Sequence, residues 1–108
     1  KTFAAQGEAA AAHVEKVAAA LEDPKRDVKC AAAHALGVMG EAAAPHLEKL
    51  SNMLSAGFPK IRLAAIEALG SLGKVAKPAA GRVTEIMNRD TDEGVRAAAG
   101  GALARITA

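Results

Sequence analysis

Apolar positions along the chain have the spacing of amphipathic helices that occur in pairs. In the first helix of a pair they fall at i, i+3 and i+7, as in Val14, Val17 and Leu21. After a short turn, Val28 and Leu36 continue the helical period in a second helix. Neither helix buries its apolar face alone, so the pattern predicts an all-α fold of stacked helix pairs. The predicted helices are residues 9–22, 24–39, 43–55, 59–72, 76–88 and 92–106.

The helix pair recurs about every 33 residues, which is a period typical of solenoids. The segment from His13 to Glu41 returns from His46 to Lys74, and a third copy follows from Ala79. We therefore predict an α-solenoid in which each unit contacts its neighbours. The chain is divided into the tail of a preceding repeat (1–8) and three units (9–41, 42–74 and 75–108) that form one array over residues 1–108. Because both ends fall inside a unit, we expect the array to be a fragment of a longer solenoid.

Turn residues stand where this scheme requires helix ends. Asp23 with Pro24, and Asp90 with Thr91 and Asp92 in the third copy, supply the side-chain oxygens that cap helix N-termini. Gly40 and Gly73 stand where the second helices of the first two units end. These residues predict short turns both within and between the units.

The second helices share a motif, which reads DPKRDVKCAAAHALGVMG, FPKIRLAAIEALGSLG and DTDEGVRAAAGGALARI. It resembles the second helix of HEAT repeats, in which an acidic turn precedes Val-Arg, an alanine pair, Ala-Leu-Gly and a closing glycine. The short, alanine-rich phycobilisome-lyase type of HEAT-like repeat is the most similar variant. The resemblance implies a right-handed superhelix of about three stacked helix pairs. It also implies a scaffold that binds a protein partner, as a subunit of a larger complex, without enzymatic activity or a cofactor.

The amino-acid composition and net charge bear on the kind of partner and on the cellular compartment. The formal net charge of +2 is too small to indicate a nucleic-acid or membrane partner by itself. No apolar run is long enough to span a bilayer. The single cysteine, Cys30, cannot form an internal disulfide and favours a reducing compartment, so we expect an intracellular, cytoplasmic protein. Nothing in the chain indicates a small-molecule substrate.

Positions that differ among the three copies are the candidates for partner binding, because stacking explains the positions that recur. Three such columns lie on the second helices: Cys30, Leu63 and Ala97; Ala33, Ile66 and Gly100; and His34, Glu67 and Gly101. In the family fold the second helices line the concave face. The sequence leaves open whether Leu63 and Ile66 are exposed anchors for a partner or are packed between repeats.

A basic residue follows the core Val or Ile of every second helix, namely Lys29, Arg62 and Arg96. The family pattern pairs this position with an acidic turn residue, and Asp92 lies four residues before Arg96 on one helix face. The other two copies have no acid there, so Lys29 and Arg62 are predicted to lack that partner. We expect the column to be a solvated or carbonyl-capping ladder that orders neighbouring repeats. It also belongs to the candidate partner surface.

A second basic column, formed by Lys16, Lys49 and Arg82, lies on the first helices. Such a stripe could meet a phosphate backbone, so nucleic-acid binding is the alternative function. Glu15 and Glu48 stand beside the two lysines and offset their charge. The absence of tryptophan and tyrosine also leaves almost no groups on which bases could stack.

The repeated His-x-Glu, His13 with Glu15 and His46 with Glu48, resembles the His-Glu pairs of HEAT-like di-iron hydroxylases. Residues two apart on a helix point about 200° from each other and cannot share an ion. We therefore predict no metal site, no catalytic residue and surface positions for both histidines. A lyase-like accessory role in cofactor or pigment attachment is implied only by the name of the repeat variant.

Overall fold

The computed structural model describes residues 13–108, and its α-helices follow the predicted order. They are α1 (described over residues 13–20), α2 (Arg26–Met39), α3 (Leu47–Asn52), α4 (Pro59–Leu72), α5 (Ala80–Arg89) and α6 (Glu93–Ile106). Short 3₁₀ segments span Gly40–His46, Met53–Ser55 and Gly73–Ala79. Residues 13–108 contain no strand, and the all-α prediction is confirmed. The predicted tail at 1–8 and the predicted start of the first helix at residue 9 lie outside the described residues.

The second helices, α2, α4 and α6, begin within two residues of their predicted starts and end at the predicted positions. The first helices of the second and third units are shorter than predicted, because a 3₁₀ segment precedes each of them. Pro45 and Pro78 lie in these segments, two residues before α3 and α5 begin. A proline ring conflicts with the carbonyl four residues earlier, so the α-helical hydrogen-bond ladder starts only after it.

The second helices form a row in which α4 lies between α2 and α6. Helix α5 packs against α6, and in the second unit α4 is contacted by α3 together with the 3₁₀ segment Met53–Ser55. Each unit therefore contacts the next one along the chain, which is the arrangement of a solenoid. The right-handed sense of the superhelix stays a prediction.

The core runs without interruption through all three units. Its largest fully buried side chains are Leu36, Leu50, Ile66, Leu69, Val83, Val95 and Ile106. Many of them occupy equivalent positions, such as Leu36 with Leu69 and Leu50 with Val83, about 33 residues apart. No unit encloses a core of its own, so stability depends on the contacts between neighbours.

Small residues allow the second helices to approach each other closely. A Cβ atom added to Gly37 would lie 3.0 Å from Ala68 Cα. A Cβ atom added to Gly70 would lie 3.0 Å from Ala102 Cβ. Both distances are shorter than ordinary van der Waals contact, so glycine favours this close spacing.

The turns at the ends of the second helices depend on glycine, as predicted. Gly40 and Gly73 are the C-cap residues of α2 and α4, with φ of 64° and 60°. Residues with a Cβ atom rarely adopt this backbone conformation. The chain can therefore turn sharply into the next unit at both places.

The two predicted N-caps have different outcomes. Asp92 caps α6, since its Oδ1 accepts a hydrogen bond from the Val95 N–H at 2.9 Å. The prediction for Asp23 is wrong, because α2 begins after Lys25 and has no side-chain cap. Asp23 Oδ1 instead accepts from the Lys25 N–H at 2.8 Å and orders the turn before the helix. No helix within residues 13–108 has both the length and the apolar character needed to cross a membrane.

Candidate partner-binding face and the junctions between repeats

Two grooves that open to solvent flank α4, and together they form the second-helix face. The groove between α2 and α4 has a volume of about 230 Å³ and is lined by Cys30, His34, Lys60, Leu63, Ala64 and Glu67. The groove between α4 and α6 has a volume of about 210 Å³ and is lined by Glu67, Ala98, Gly101, Ala102 and Arg105. Because Glu67 lines both grooves, they form one adjoining surface.

Four of the predicted candidates meet in the first groove. Cys30 and His34 are one turn apart on α2, and Leu63 and Glu67 are one turn apart on α4. Gly101, the third member of the His34 column, lines the second groove. The structure thus brings these residues together, while their role in binding a partner stays a prediction.

The Ala33 and Ile66 column is not on this surface. Both side chains are fully buried in the core, so the idea that Ile66 is an exposed anchor is wrong. Leu63 is half-buried and packs against the core from the groove. Positions three residues apart lie on one helix face, so it is the packing of the neighbouring helices that buries Ala33 and Ile66.

The sequence interpretation missed Lys60 and Arg105, which give the grooves much of their polar character. Lys60, Leu63, Ala64 and Glu67 have the spacing i, i+3, i+4 and i+7 of one helix face. Applying this spacing to α4 would have identified Lys60. The same spacing in Ala98, Gly101, Ala102 and Arg105 would have identified Arg105 on α6.

The thiol of Cys30 lies within the first groove and is half-buried. Its Sγ donates to the Lys60 carbonyl oxygen at 3.9 Å, a weak contact that joins α2 to the first turn of α4. Cys30 therefore contributes to the packing of neighbouring units as well as to the groove surface.

The junction between the second and third units contains a buried ion pair. Arg62 Nε donates to Asp90 Oδ2 at 2.7 Å, and Arg62 Nη2 donates to Asp90 Oδ1 at 3.0 Å. Only 12% of the Arg62 side chain and 3% of the Asp90 side chain are exposed. As predicted, Arg62 has no acidic residue four positions earlier on its own helix, where Phe58 stands. Its partner comes from the turn of the next unit and not from its own helix.

The hydrogen bonds from Arg62 hold the pKa of the Asp90 carboxyl below its usual range. The backbone N–H of Asp92 donates to Asp90 Oδ1 at 2.9 Å and lowers this pKa further. Burial acts in the opposite direction and is outweighed. Asp90 is therefore held as a carboxylate at this junction.

The two arginines of the column Lys29, Arg62 and Arg96 also donate hydrogen bonds to carbonyl groups of the turns. Arg62 Nη1 donates to the Ala56 oxygen at 2.8 Å, and Arg96 Nη1 donates to the Asp90 oxygen at 2.6 Å. In both cases the acceptor lies six residues before the arginine. The expected carbonyl-capping ladder is thus confirmed at these two residues. The expected pairing of Asp92 with Arg96 is wrong, because the Asp92 carboxylate caps α6.

Lys29 differs from the two arginines of its column. Among residues 13–108 it has no carboxylate within 4.0 Å. It is half-buried and lines a cavity between the first and second units. The two junctions of the stack are therefore built differently.

The first-helix stripe is partly engaged in contacts within the chain. Lys49 Nζ lies 3.7 Å from Glu22 Oε2, and Arg82 Nη1 donates to Asn52 Oδ1 at 3.3 Å. Lys16 is exposed. Two of the three cations of the stripe thus contact the preceding unit.

The two histidines of the His-x-Glu pairs are placed differently. His13 is exposed, whereas His46 is buried at the start of α3, so the surface position predicted for His46 is wrong. His46 Nε2 lies 3.5 Å from Oε2 of Glu15 in the preceding unit, and not next to Glu48. Within residues 13–108, no three potential metal-ligating side chains come together.

Comparison with known proteins agrees with this architecture. A family model described as HEAT repeats matches residues 14–104. No curated protein matches the chain, and no solved structure matches it. The match does not distinguish among HEAT variants, so the resemblance to the phycobilisome-lyase type stays a prediction.

Proposed function

Because this chain belongs to the HEAT-repeat family, we propose that it is a non-enzymatic scaffold that binds a partner protein along its second-helix face. HEAT repeats generally mediate protein–protein interactions. The finer part of the proposal is the choice of face. It rests on the two adjoining grooves that flank α4.

The chemistry of the first groove supports protein binding. Leu63 and Ala64 provide an apolar floor, and His34, Lys60 and Glu67 provide a polar rim. An apolar centre within a polar rim is the usual composition of a protein interface. Half-buried Leu63 is the side chain best placed to contact an apolar anchor of the partner.

The size of the grooves favours a macromolecular partner over a small molecule. Small-molecule sites usually enclose about 300–1,000 Å³. Neither groove alone, at about 230 or 210 Å³, reaches that range, so a ligand would have to extend over α4 to fill both. Because they adjoin at Glu67, a partner segment crossing α4 can place successive side chains in both.

The test uses a charge reversal at the residue that both grooves share. A partner recovered with the wild-type chain should bind Glu67→Lys at least tenfold more weakly, because the rim charge of both grooves is inverted. Glu67 is exposed, so the substitution should leave the fold intact. Leu63→Ala should also weaken binding, through loss of the apolar floor. The matched control is Lys16→Glu, an exposed charge reversal on α1.

Equal affinity of the wild type and Glu67→Lys would contradict the choice of face. A loss of binding in Lys16→Glu alone would assign the interface to the first helices. A photo-crosslinking residue at position 67 should capture the same partner, and one at position 16 should not.

Nucleic-acid binding is distinguished by its salt dependence. A phosphate-backbone contact through Lys16, Lys49 and Arg82 requires duplex affinity that falls steeply with salt and disappears when all three are changed to Glu. The neighbouring acids Glu15 and Glu48 offset the charge of the two lysines. We expect no duplex binding that depends on the stripe.

Three narrower statements remain predictions. Membership of a larger complex follows from the usual role of the family. A cytoplasmic location follows from the single cysteine. A lyase-like accessory role follows only from resemblance to one repeat variant.

A further inference from the structure

The junction cavity, between the first and second units, has a volume of about 420 Å³ and opens to solvent. Its polar lining includes Lys29 from α2, Lys49 and Asn52 from α3, and Glu22 from the turn after α1. Ala56, in the turn before α4, also lines the cavity. None of the residues of the second-helix face lines it. A ligand held here would therefore contact a different surface from the one proposed above.

The second junction shows what the chain itself places at the corresponding position. The carbonyls of Ala56 and Asp90 each accept from the arginine six residues later, so these two residues are equivalent. Lys29 and Arg62 are equivalent members of the basic column. At the second junction the Asp90 carboxylate binds Arg62. At the first junction the equivalent turn residue is Ala56, which has no carboxylate to offer Lys29.

The cavity therefore contains hydrogen-bond donors that can bind an anion. Lys29 has no carboxylate within 4.0 Å among residues 13–108. Lys49 is a second ammonium, and its contact with Glu22 at 3.7 Å is an exposed and weak one. The side-chain oxygen of Asn52 accepts from Arg82, which leaves the Asn52 amide hydrogens as donors.

We propose that the junction cavity binds the carboxylate of an aspartate side chain presented by a partner protein. In this arrangement the partner supplies to Lys29 the group that Asp90 supplies to Arg62 within the chain. The volume accommodates the carboxylate together with part of the segment that carries it. The Asp90–Arg62 pair, which the chain forms at the equivalent position of the second junction, favours a carboxylate over other anions.

The test is an NMR titration of the ¹⁵N-labelled chain with N-acetyl-aspartate amide, which has one carboxylate on a peptide-like backbone. We expect saturable shifts of the amides of Lys29, Lys49, Asn52 and Ala56. N-acetyl-asparagine amide, which has the same shape without the charge, should give no saturable shift. The binding of a single carboxylate should weaken as salt is added.

Two variants locate the site. Lys29→Met should weaken binding of the aspartate probe at least tenfold, and Ala56→Asp should do the same by placing a carboxylate of the chain beside Lys29. Lys77→Met is the matched control, because Lys77 is exposed and does not line the cavity. The amide spectrum of residues far from the cavity reports whether each variant keeps the fold.

Several results would overturn the proposal. They are the absence of a saturable shift with the aspartate probe, an equal response to the asparagine probe, and unchanged binding in Lys29→Met. Tighter binding of inorganic phosphate would assign the cavity to phosphate. Equally tight binding of acetate would show a site for free carboxylates with no contribution from a peptide. The outcome is independent of Glu67→Lys, which probes the other surface.

Discussion

The two junctions between repeats have the same helix packing but different ionic contacts. At each one a glycine of one second helix meets an alanine of the next, and an added Cβ atom would lie 3.0 Å from that alanine at both. The second junction adds the buried pair of Arg62 and Asp90. The first has Lys29 beside an open cavity. Apolar packing thus sets the geometry of the stack, and the turn residue decides whether a junction is joined by charge or remains accessible.

The first junction has other polar contacts, but they are weaker. Glu22 lies near Lys49, and the Arg26 guanidinium lies 4.2 Å from the centre of the Phe58 ring. Phe58 is 50% exposed, so this cation–π contact is worth only about 0.5–1 kcal/mol. Exposed ion pairs contribute about 0–1 kcal/mol. We therefore infer that polar contacts stabilise the first junction less than the second.

The largest expected effect comes from removing the buried acid at the second junction. Asp90→Ala should lower the free energy of unfolding by about 3–5 kcal/mol, because Arg62 is left buried without its partner. Urea denaturation measures this loss. Glu85→Ala removes an exposed acid from the same unit and should change stability by about 0.5 kcal/mol or less. If the two variants are equally stable, the second junction is not held by this pair.

Acid should weaken the same contact without a mutation. Because the folded state lowers the pKa of Asp90, the stabilisation is present above the unfolded value of about 3.9. This stabilisation is lost as the pH falls from about 3.9 through the lower pKa that Asp90 has in the folded state. The difference in unfolding free energy between the wild type and Asp90→Asn should therefore shrink below about pH 4. A difference that stays constant in this range would contradict the assigned ionisation.

The shared packing is tested by adding one methyl group at each junction. Gly37→Ala and Gly70→Ala should each lower stability by about 1–3 kcal/mol, since the new Cβ atom meets the neighbouring helix. Similar losses at both sites would show that packing is common to the two junctions. The matched control is Gly101→Ala, where an added Cβ atom meets nothing within 4 Å. It should raise stability by about 1 kcal/mol through helix propensity.

The smallest expected effect comes from making the first junction more like the second. Ala56→Asp should raise the free energy of unfolding by up to about 1 kcal/mol, because it gives Lys29 a partner in a partly exposed setting. Ala56→Asn is the uncharged control and should not stabilise. A gain that is equal in both variants would show that the turn conformation, and not charge, is responsible.

The candidate site was predicted from the sequence only in part. Comparing the copies identified Cys30, His34 and Glu67, because variation at equivalent positions marks a surface. It could not separate buried Ile66 from half-buried Leu63, since both are apolar and only three residues apart on α4. Their exposure depends on how the neighbouring helices lie against α4.

The sequence by itself determined the helix pairs, their period and the ends of the second helices. These features depend on local causes, namely the apolar period and the backbone freedom of Gly40 and Gly73. Only the tertiary structure decided the partner of Arg62, which is 28 residues away along the chain. Likewise, only the tertiary structure showed that Lys29 lines a cavity between two units. Contacts across a junction depend on how one unit lies on the next, and that placement follows from the packing of the whole stack.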